Sequence, residues 1–305
     1  MKHLKTGLAF LAAAYLGILV GCDQGEHSKH SENQKLVDEG LEALKYYDYN
    51  LAGNKLSKVQ PNLDKGSDSW DRITFAAAIA AWHSSPPSAH NIELASSFFQ
   101  QVIDHASDAQ IIALAKISLG RIYEVSDYRT DEVDLPKAQS LYREVLSSES
   151  SNDLVSEATL RLAQTYVQTL TQEGLTRAIS ILGNHLESYP NSNWRSVVAQ
   201  YLGDIYYERL NDPKNALNYY QIALEEGFAN KTKEHIYIWR MAEFAKRSDQ
   251  ALLSTVYSTK LVEEYPRSQY GWFALNNIRR YNEANPDDSV PLPEMRNAFL
   301  EGVGQ

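Results

Sequence analysis

Two hydropathy patterns divide this chain. From Gly7 to Val20 it is uncharged and largely apolar; from about residue 35 onward, apolar positions return at three- and four-residue intervals. The second pattern is that of amphipathic helices, whose buried stripe recurs every 3.6 residues. No run alternates apolar and polar residues convincingly enough to predict a strand. Breaks such as "SSPPS" (Ser84–Ser88) and Asp212-Pro213 interrupt the helical stretches, because proline removes a backbone donor and constrains the residue before it. The pattern predicts six helix pairs, at about 35–60, 71–106, 111–148, 154–190, 196–228 and 233–266. A further helix at 269–282 and a polar one after "DDSVPLPE" are expected to cap the stack. "DYRTDEVD" (Asp127–Asp134) lengthens the turn inside one pair and is expected as a surface loop.

The pairs repeat. In Ser196–Phe228, Leu202-Gly203 is followed by Tyr206, then Asp212-Pro213, then Ala216, Tyr220 and Ala223. The same frame gives Leu119-Gly120, Tyr123, Pro136, Ala138, Tyr142 and Val145, and again Leu162-Ala163, Tyr166, Ala178, Leu182 and Pro190. It decays but persists in Met241-Ala242, Leu261, Glu264 and Pro266. Before residue 110 it weakens, leaving "ITFAAAIAAW" with "IELASSFFQQVI" and "LVDEGLEALKYYDY" with "AGNKLSKVQP" as candidate pairs. These intervals resemble the tetratricopeptide (TPR) repeat of about 34 residues. The resemblance implies an all-α, right-handed α-solenoid of TPR-like helix pairs. Small residues (Gly203, Ala163, Ala216, Ala178, Ala138) are expected where the helices of a pair come closest. Tyr206, Tyr166, Tyr123 and Tyr220 are expected to fill spaces between neighbouring pairs. One pair cannot bury its apolar face alone, so pairs must stack.

Lys2 and Lys5 precede the apolar run, which is shorter than the ~20 residues that span hydrocarbon. It ends in Leu19-Val20-Gly21-Cys22. This resembles the lipobox of bacterial lipoproteins. The resemblance implies a diacylglyceryl group on Cys22, cleavage before it and acylation of the new amino terminus. Two or three acyl chains, at roughly 0.8 kcal/mol per buried methylene, make a durable attachment to a lipid bilayer. Cys22 is the only cysteine, so no disulfide forms within the chain. The implied organisation is a signal peptide (1–21), a lipidated cysteine and flexible tether (22–34), divergent helical repeats (35–110), TPR-like repeats (111–282) and a capping helix and tail (283–305). His27 and His30 sit three apart in the tether without a third ligand, so no metal is expected.

Composition narrows the function. The formal charge is −10 for the whole chain, and −12 without residues 1–21, which hold Lys2 and Lys5 and no acid. An acidic protein has no general attraction for phosphate backbones, which argues against nucleic acid as a partner. Nineteen tyrosines against eight phenylalanines suit half-buried surface, since the hydroxyl can reach water while the ring packs. There is no Gly-x-Ser-x-Gly elbow, phosphate-binding glycine loop or His-Glu-x2-His. His83, His90, His105, His185 and His235 are scattered over different repeats. A lytic transglycosylase would need a further globular domain, for which the repeats leave no room. No enzyme activity and no cofactor are expected.

Two turns, "ESYPNSNW" (Glu187–Trp194) and "EEYPRSQYGWFA" (Glu263–Ala274), share Tyr-Pro-x-Ser-x-aromatic, with Ser192 and Ser268 expected as helix N-caps. They resemble a turn common in envelope TPR proteins, such as those of outer-membrane β-barrel assembly and the Tol–Pal system. The resemblance implies a membrane-anchored periplasmic scaffold whose concave face, lined by the first helix of each pair, binds envelope proteins. Carried over in register, the groove is Arg121, Glu124, Glu157, Gln164, Gln200, Asp204, Tyr207, Trp239 and Glu243. Such an acidic and aromatic groove suits a basic or extended peptide. A peptidoglycan-associated factor, or a non-catalytic regulator of a cell-wall hydrolase, is the alternative. Asp23-Gln24 after the cysteine favours the inner membrane slightly over the outer.

Overall fold

A computed structural model describes residues 29–125 and 133–293. The leader, Cys22, residues 127–132 of the inserted turn and the C-terminal cap at 294–305 lie outside the described residues. Among the described residues there are thirteen α-helices and no strand. They form two compact units divided after Thr169. Unit 1 holds α1 (Lys29–Lys45), α2 (Tyr49–Val59), α3 (Asp68–His83), α4 (Ala89–His105), α5 (Ala109–Glu124), α6 (Leu135–Leu146) and α7 (Asn152–Gln168). Unit 2 holds α8 (Gln172–Ser188), α9 (Arg195–Glu208), α10 (Pro213–Glu226), α11 (Glu234–Arg247), α12 (Ala251–Glu264) and α13 (Gly271–Ala284). These spans reproduce the expected helices to within a few residues, apart from α1, which starts at Lys29, inside the stretch expected as tether.

Local chemistry sets the boundaries. Asp48, Asp134 and Asp212 each accept a hydrogen bond from the backbone N–H three residues on, at 3.1, 3.1 and 3.0 Å, and so cap α2, α6 and α10. Ser88 and Thr171 do the same for α4 and α8. α1 ends in a Schellman turn, with Asp48 N–H on Ala43 O (2.9 Å), Tyr47 N–H on Leu44 O (3.0 Å) and Tyr47 left-handed at φ 62°. α11 ends the same way on Asp249, at φ 58°. Ser192 and Ser268 are not N-caps. Trp194 and Tyr270 hold those positions, and each serine accepts the N–H two residues on, bracing the turn that precedes the helix.

In unit 1, α1 packs on α2, α3 on α4 and α5 on α6, and α2–α3, α4–α5 and α6–α7 join successive pairs. Unit 2 pairs α9 with α10 and α11 with α12, joined through α10–α11 and closed by α12–α13. The small residues sit where the helices of a pair meet. A Cβ on Gly120 would lie 2.6 Å from Tyr142, and one on Gly203 2.5 Å from Tyr220. Ala138 and Ala216 are fully buried. The weakly patterned first pair uses the same device, since a Cβ on Gly40 would lie 2.6 Å from Leu56. Not every tyrosine bridges pairs as expected. Tyr220 does, with its ring 5.2 Å from Phe244 on α11. Tyr206 instead stacks on Tyr219 of its own pair (5.4 Å, 15°), and Tyr123 packs under Lys137 of its own pair. A buried acid fastens the next turn, where Asp71 on α3 accepts the Ser107 and Asp108 N–H groups at 2.8 and 3.1 Å.

Candidate partner-binding face

The nine groove residues lie on α5, α7, α9 and α11, and their environments differ. In unit 1, Arg121 and Glu124 lie on α5, and Glu157 and Gln164 on α7. Arg121, Glu124 and Glu157 are buried, and only Gln164 is partly exposed. Their charges are engaged within the chain. Tyr142 donates to Glu124 Oε2 at 2.9 Å, while Arg161 Nη1 stands 3.5 Å from Glu124 Oε1 and its Nε 3.6 Å from Glu157 Oε1. The Arg121 guanidinium lies 5.1 Å from the centre of the Trp82 ring. Two cations and two anions thus share one desolvated site. Burial raises both carboxyls above their ordinary range against the pull of Arg161, and burial lowers Arg121.

In unit 2, Asp204 on α9 is likewise committed. The Tyr220 hydroxyl donates to it, and Arg240 Nη1 on α11 lies 3.1 Å from both Asp204 Oδ1 and the Tyr220 oxygen. Burial pushes the Asp204 carboxyl up to about 6, opposed by Tyr220 and Arg240. The other four stay partly exposed: Gln200, Tyr207, Trp239 and Glu243. Tyr207 rests on Phe244 at 4.5 Å with the Arg247 guanidinium 5.4 Å from its ring centre. Trp239 lies parallel to Tyr270 (5.5 Å, 8°) and 6.1 Å from Phe273. Asn277 Nδ2 donates to Glu243 Oε1 at 3.4 Å. Trp239, Tyr270 and Phe273 therefore form an aromatic row across α11 and α13, to which α9 adds the separate, partly exposed ring of Tyr207, beside few uncommitted acids.

Sequence reading missed the device that consumes those acids. Each unit joins a carboxylate on a first helix, a tyrosine on its partner and an arginine on the next first helix: Glu124–Tyr142–Arg161 and Asp204–Tyr220–Arg240. The tyrosines stand four after the buried alanine (Ala138, Ala216), and the arginines two before the small residue (Arg161-Leu162-Ala163, Arg240-Met241-Ala242). That signal is legible only once the pairs are stacked. A cleft of about 410 Å³ at the start of α9 offers little besides: Ser196 Oγ is bound to Gly227 O at 2.8 Å, and Arg195 is paired with Glu226 at 3.2 Å. Among the described residues, no group of three or more His, Cys, Asp or Glu is placed to hold a metal ion, and no helix is long and apolar enough to cross a membrane.

No protein-family model and no curated protein matches the sequence. Among solved structures, the chain is similar to PilF of Pseudomonas aeruginosa, with TM-score 0.52 and 16% identity, over 85% of this chain and 99% of that one. It also aligns with the TPR2AB-domain:pHSP90 complex of yeast Sti1 (TM-score 0.35, 14% identity, 85% of this chain and 93% of that). A third alignment is with the P58(IPK) TPR domain (0.32, 13%, 83% and 73%). With the helix pairs and their small-residue contacts, the likeness to PilF establishes the fold: all-α, built of TPR-like helix pairs.

Proposed function

We propose that this chain is a non-catalytic, protein-binding scaffold of the bacterial cell envelope, tethered through lipid on Cys22 and facing the periplasm. The observation that carries the binding role is the aromatic row of unit 2, whose rings pack on one another and stay partly exposed. An extended peptide segment of an envelope protein fits it, because flat rings bury much area at low entropic cost and the pair-to-pair spacing offers successive contacts. Glu124, Glu157 and Asp204 are already paired, so aromatic contact rather than acidity governs this binding. The anchor rests on Leu19-Val20-Gly21-Cys22 and the basic, apolar leader before it; Asp23-Gln24 supports the inner membrane.

The test replaces Tyr207 and Trp239 together by alanine. Crosslinking in intact cells should lose the envelope partners of the parent while helicity is retained. Partners captured equally by the double variant would remove the face assigned here. For the anchor, Cys22→Ala should leave an unprocessed precursor, and a normally lipidated product from that variant would refute the cysteine's role.

A further inference from the structure

The buried charge site of unit 1 is balanced in charge but not in hydrogen bonds. Arg161 serves both acids, with Nη1 3.5 Å from Glu124 Oε1 and Nε 3.6 Å from Glu157 Oε1, while Tyr142 donates to Glu124 Oε2 at 2.9 Å. Arg121 is left over. It is only 8% exposed, yet among the described residues no acceptor reaches its guanidinium and no carboxylate stands at ion-pair distance from it. A guanidinium carries five N–H donors and no acceptor, and buried donors without partners are rare and costly.

The side chain is held in place all the same. It lies over the Trp82 ring of α3, 5.1 Å from the ring centre. That ring is fixed in turn by His83, stacked at 4.9 Å, and by the edge contact with Phe99 at 6.0 Å. Trp82 is partly exposed, so the stack reaches the surface of unit 1. Arg121 is therefore a pre-positioned fork of donors, open at its edge and unmatched by the described chain.

Charge decides which acceptor fits. Arg121 and Arg161 already balance Glu124 and Glu157. A carboxylate would set three negative charges against two positive ones in a desolvated site, and a cation would meet two guanidiniums. A neutral carbonyl satisfies the donors and leaves the balance untouched. A main-chain carbonyl is flanked by backbone on both sides, whereas the small opening at Arg121 admits the end of a side chain. The side chains that end in a neutral carbonyl are asparagine and glutamine.

We propose that Arg121 is the recognition residue of a second binding site, in unit 1, for a glutamine or asparagine side chain on an extended segment of a partner protein. The carboxamide oxygen accepts from the guanidinium beside Trp82. This assignment rests on the reading of the chain as a protein-binding scaffold, but not on the aromatic row of unit 2.

The indole N–H signals of the full-length chain, isotope-labelled at tryptophan, report binding at Trp82. The probes are N-acetyl-glutamine methylamide and its glutamate counterpart, which differ only in carboxamide against carboxylate. The glutamine probe should shift the Trp82 signal saturably, and the glutamate probe should bind severalfold more weakly. Arg121→Met should weaken the glutamine probe roughly tenfold or more, as the loss of a charge-assisted hydrogen bond requires. Arg121→Lys, which keeps the charge but not the planar fork, should weaken it as well. An unmoved signal from buried Trp70 shows that a variant is folded. The absence of a saturable Trp82 shift with the glutamine probe would overturn the proposal and leave Arg121 to solvent. So would a glutamate probe that binds as tightly, which would assign the site to a carboxylate, or a glutamine shift that survives both substitutions. None of these outcomes bears on the aromatic row, which the double variant at Tyr207 and Trp239 tests separately.

Discussion

Gly203 and Gly183 both lie inside helices of unit 2, yet their replacement by alanine should move stability in opposite directions. In an open helical position alanine is favoured over glycine by about 1 kcal/mol. Gly183 is such a position, since an added Cβ meets nothing within 4 Å. At Gly203 the Cβ would lie 2.5 Å from Tyr220 Cδ2 and 3.1 Å from the backbone oxygen of Ala216. Neither can retreat, because Ala216 is helix backbone and the Tyr220 ring is fully buried against Phe228 and Phe244. Overpacking of this kind costs roughly 1–3 kcal/mol. A ring that tilts away also withdraws its hydroxyl from Asp204, a charge-assisted hydrogen bond worth about 1.5–3 kcal/mol. Set against the propensity gain, Gly203→Ala should lose roughly 2–4 kcal/mol, while Gly183→Ala gains up to about 1 kcal/mol. Urea unfolding followed by far-ultraviolet circular dichroism measures both. A Gly203→Ala chain as stable as the parent would mean that α9 and α10 do not approach as described.

Three further predictions follow from the same packing. The Asp204 carboxyl is raised to about 6 in the folded chain from an ordinary 3.8, so the native state takes up its proton first. Its contribution is therefore fully present below about pH 4 and lost as pH rises through 6; Asp204→Asn should abolish a stability change of order 1–3 kcal/mol across that window, and pH-dependent urea midpoints identical in the two chains would contradict it. Asp71→Ala should cost about 2–4 kcal/mol by orphaning the Ser107 and Asp108 N–H groups, read as a lower thermal midpoint with helicity retained below it. Tyr47→Asn should leave the fold intact and raise stability by up to about 1 kcal/mol, because a bulky side chain is strained at φ 62° and Tyr47 is half exposed; a lower urea midpoint would show that its ring makes a contact worth more than that strain.

The helix pairs were legible because their determinants are local. Leu202-Gly203, Ala216 and Tyr220 specify a close contact within 20 residues, and Asp212-Pro213 marks a helix start that the fold reproduces. The first two pairs lack that signature and are placed by amphipathic spacing and the break at Ser84–Ser88 alone; the close contact at Gly40 shows only in the fold. The groove was only partly legible. Repeat register puts Glu124, Glu157 and Asp204 on first helices but cannot tell a solvated acid from one consumed by a tyrosine and an arginine of a neighbouring helix. Arg240 meets Asp204 across 36 residues, and that meeting depends on how pairs stack. The cap of α9 was misplaced by two residues for a related reason: Ser192 has a capping side chain, but the Tyr-Pro turn directs it to the turn before the helix.

The most direct test of the binding role is site-specific photo-crosslinking in living cells, with the photoreactive residue at Gln200, Trp239 or Glu243 on the proposed face, or at exposed Val256 on α12 as control. A protein-binding role of this face predicts the same envelope protein crosslinked from all three face positions and not from Val256. Adducts from Val256 as strong as those from the aromatic row, or none from the row at all, would contradict it.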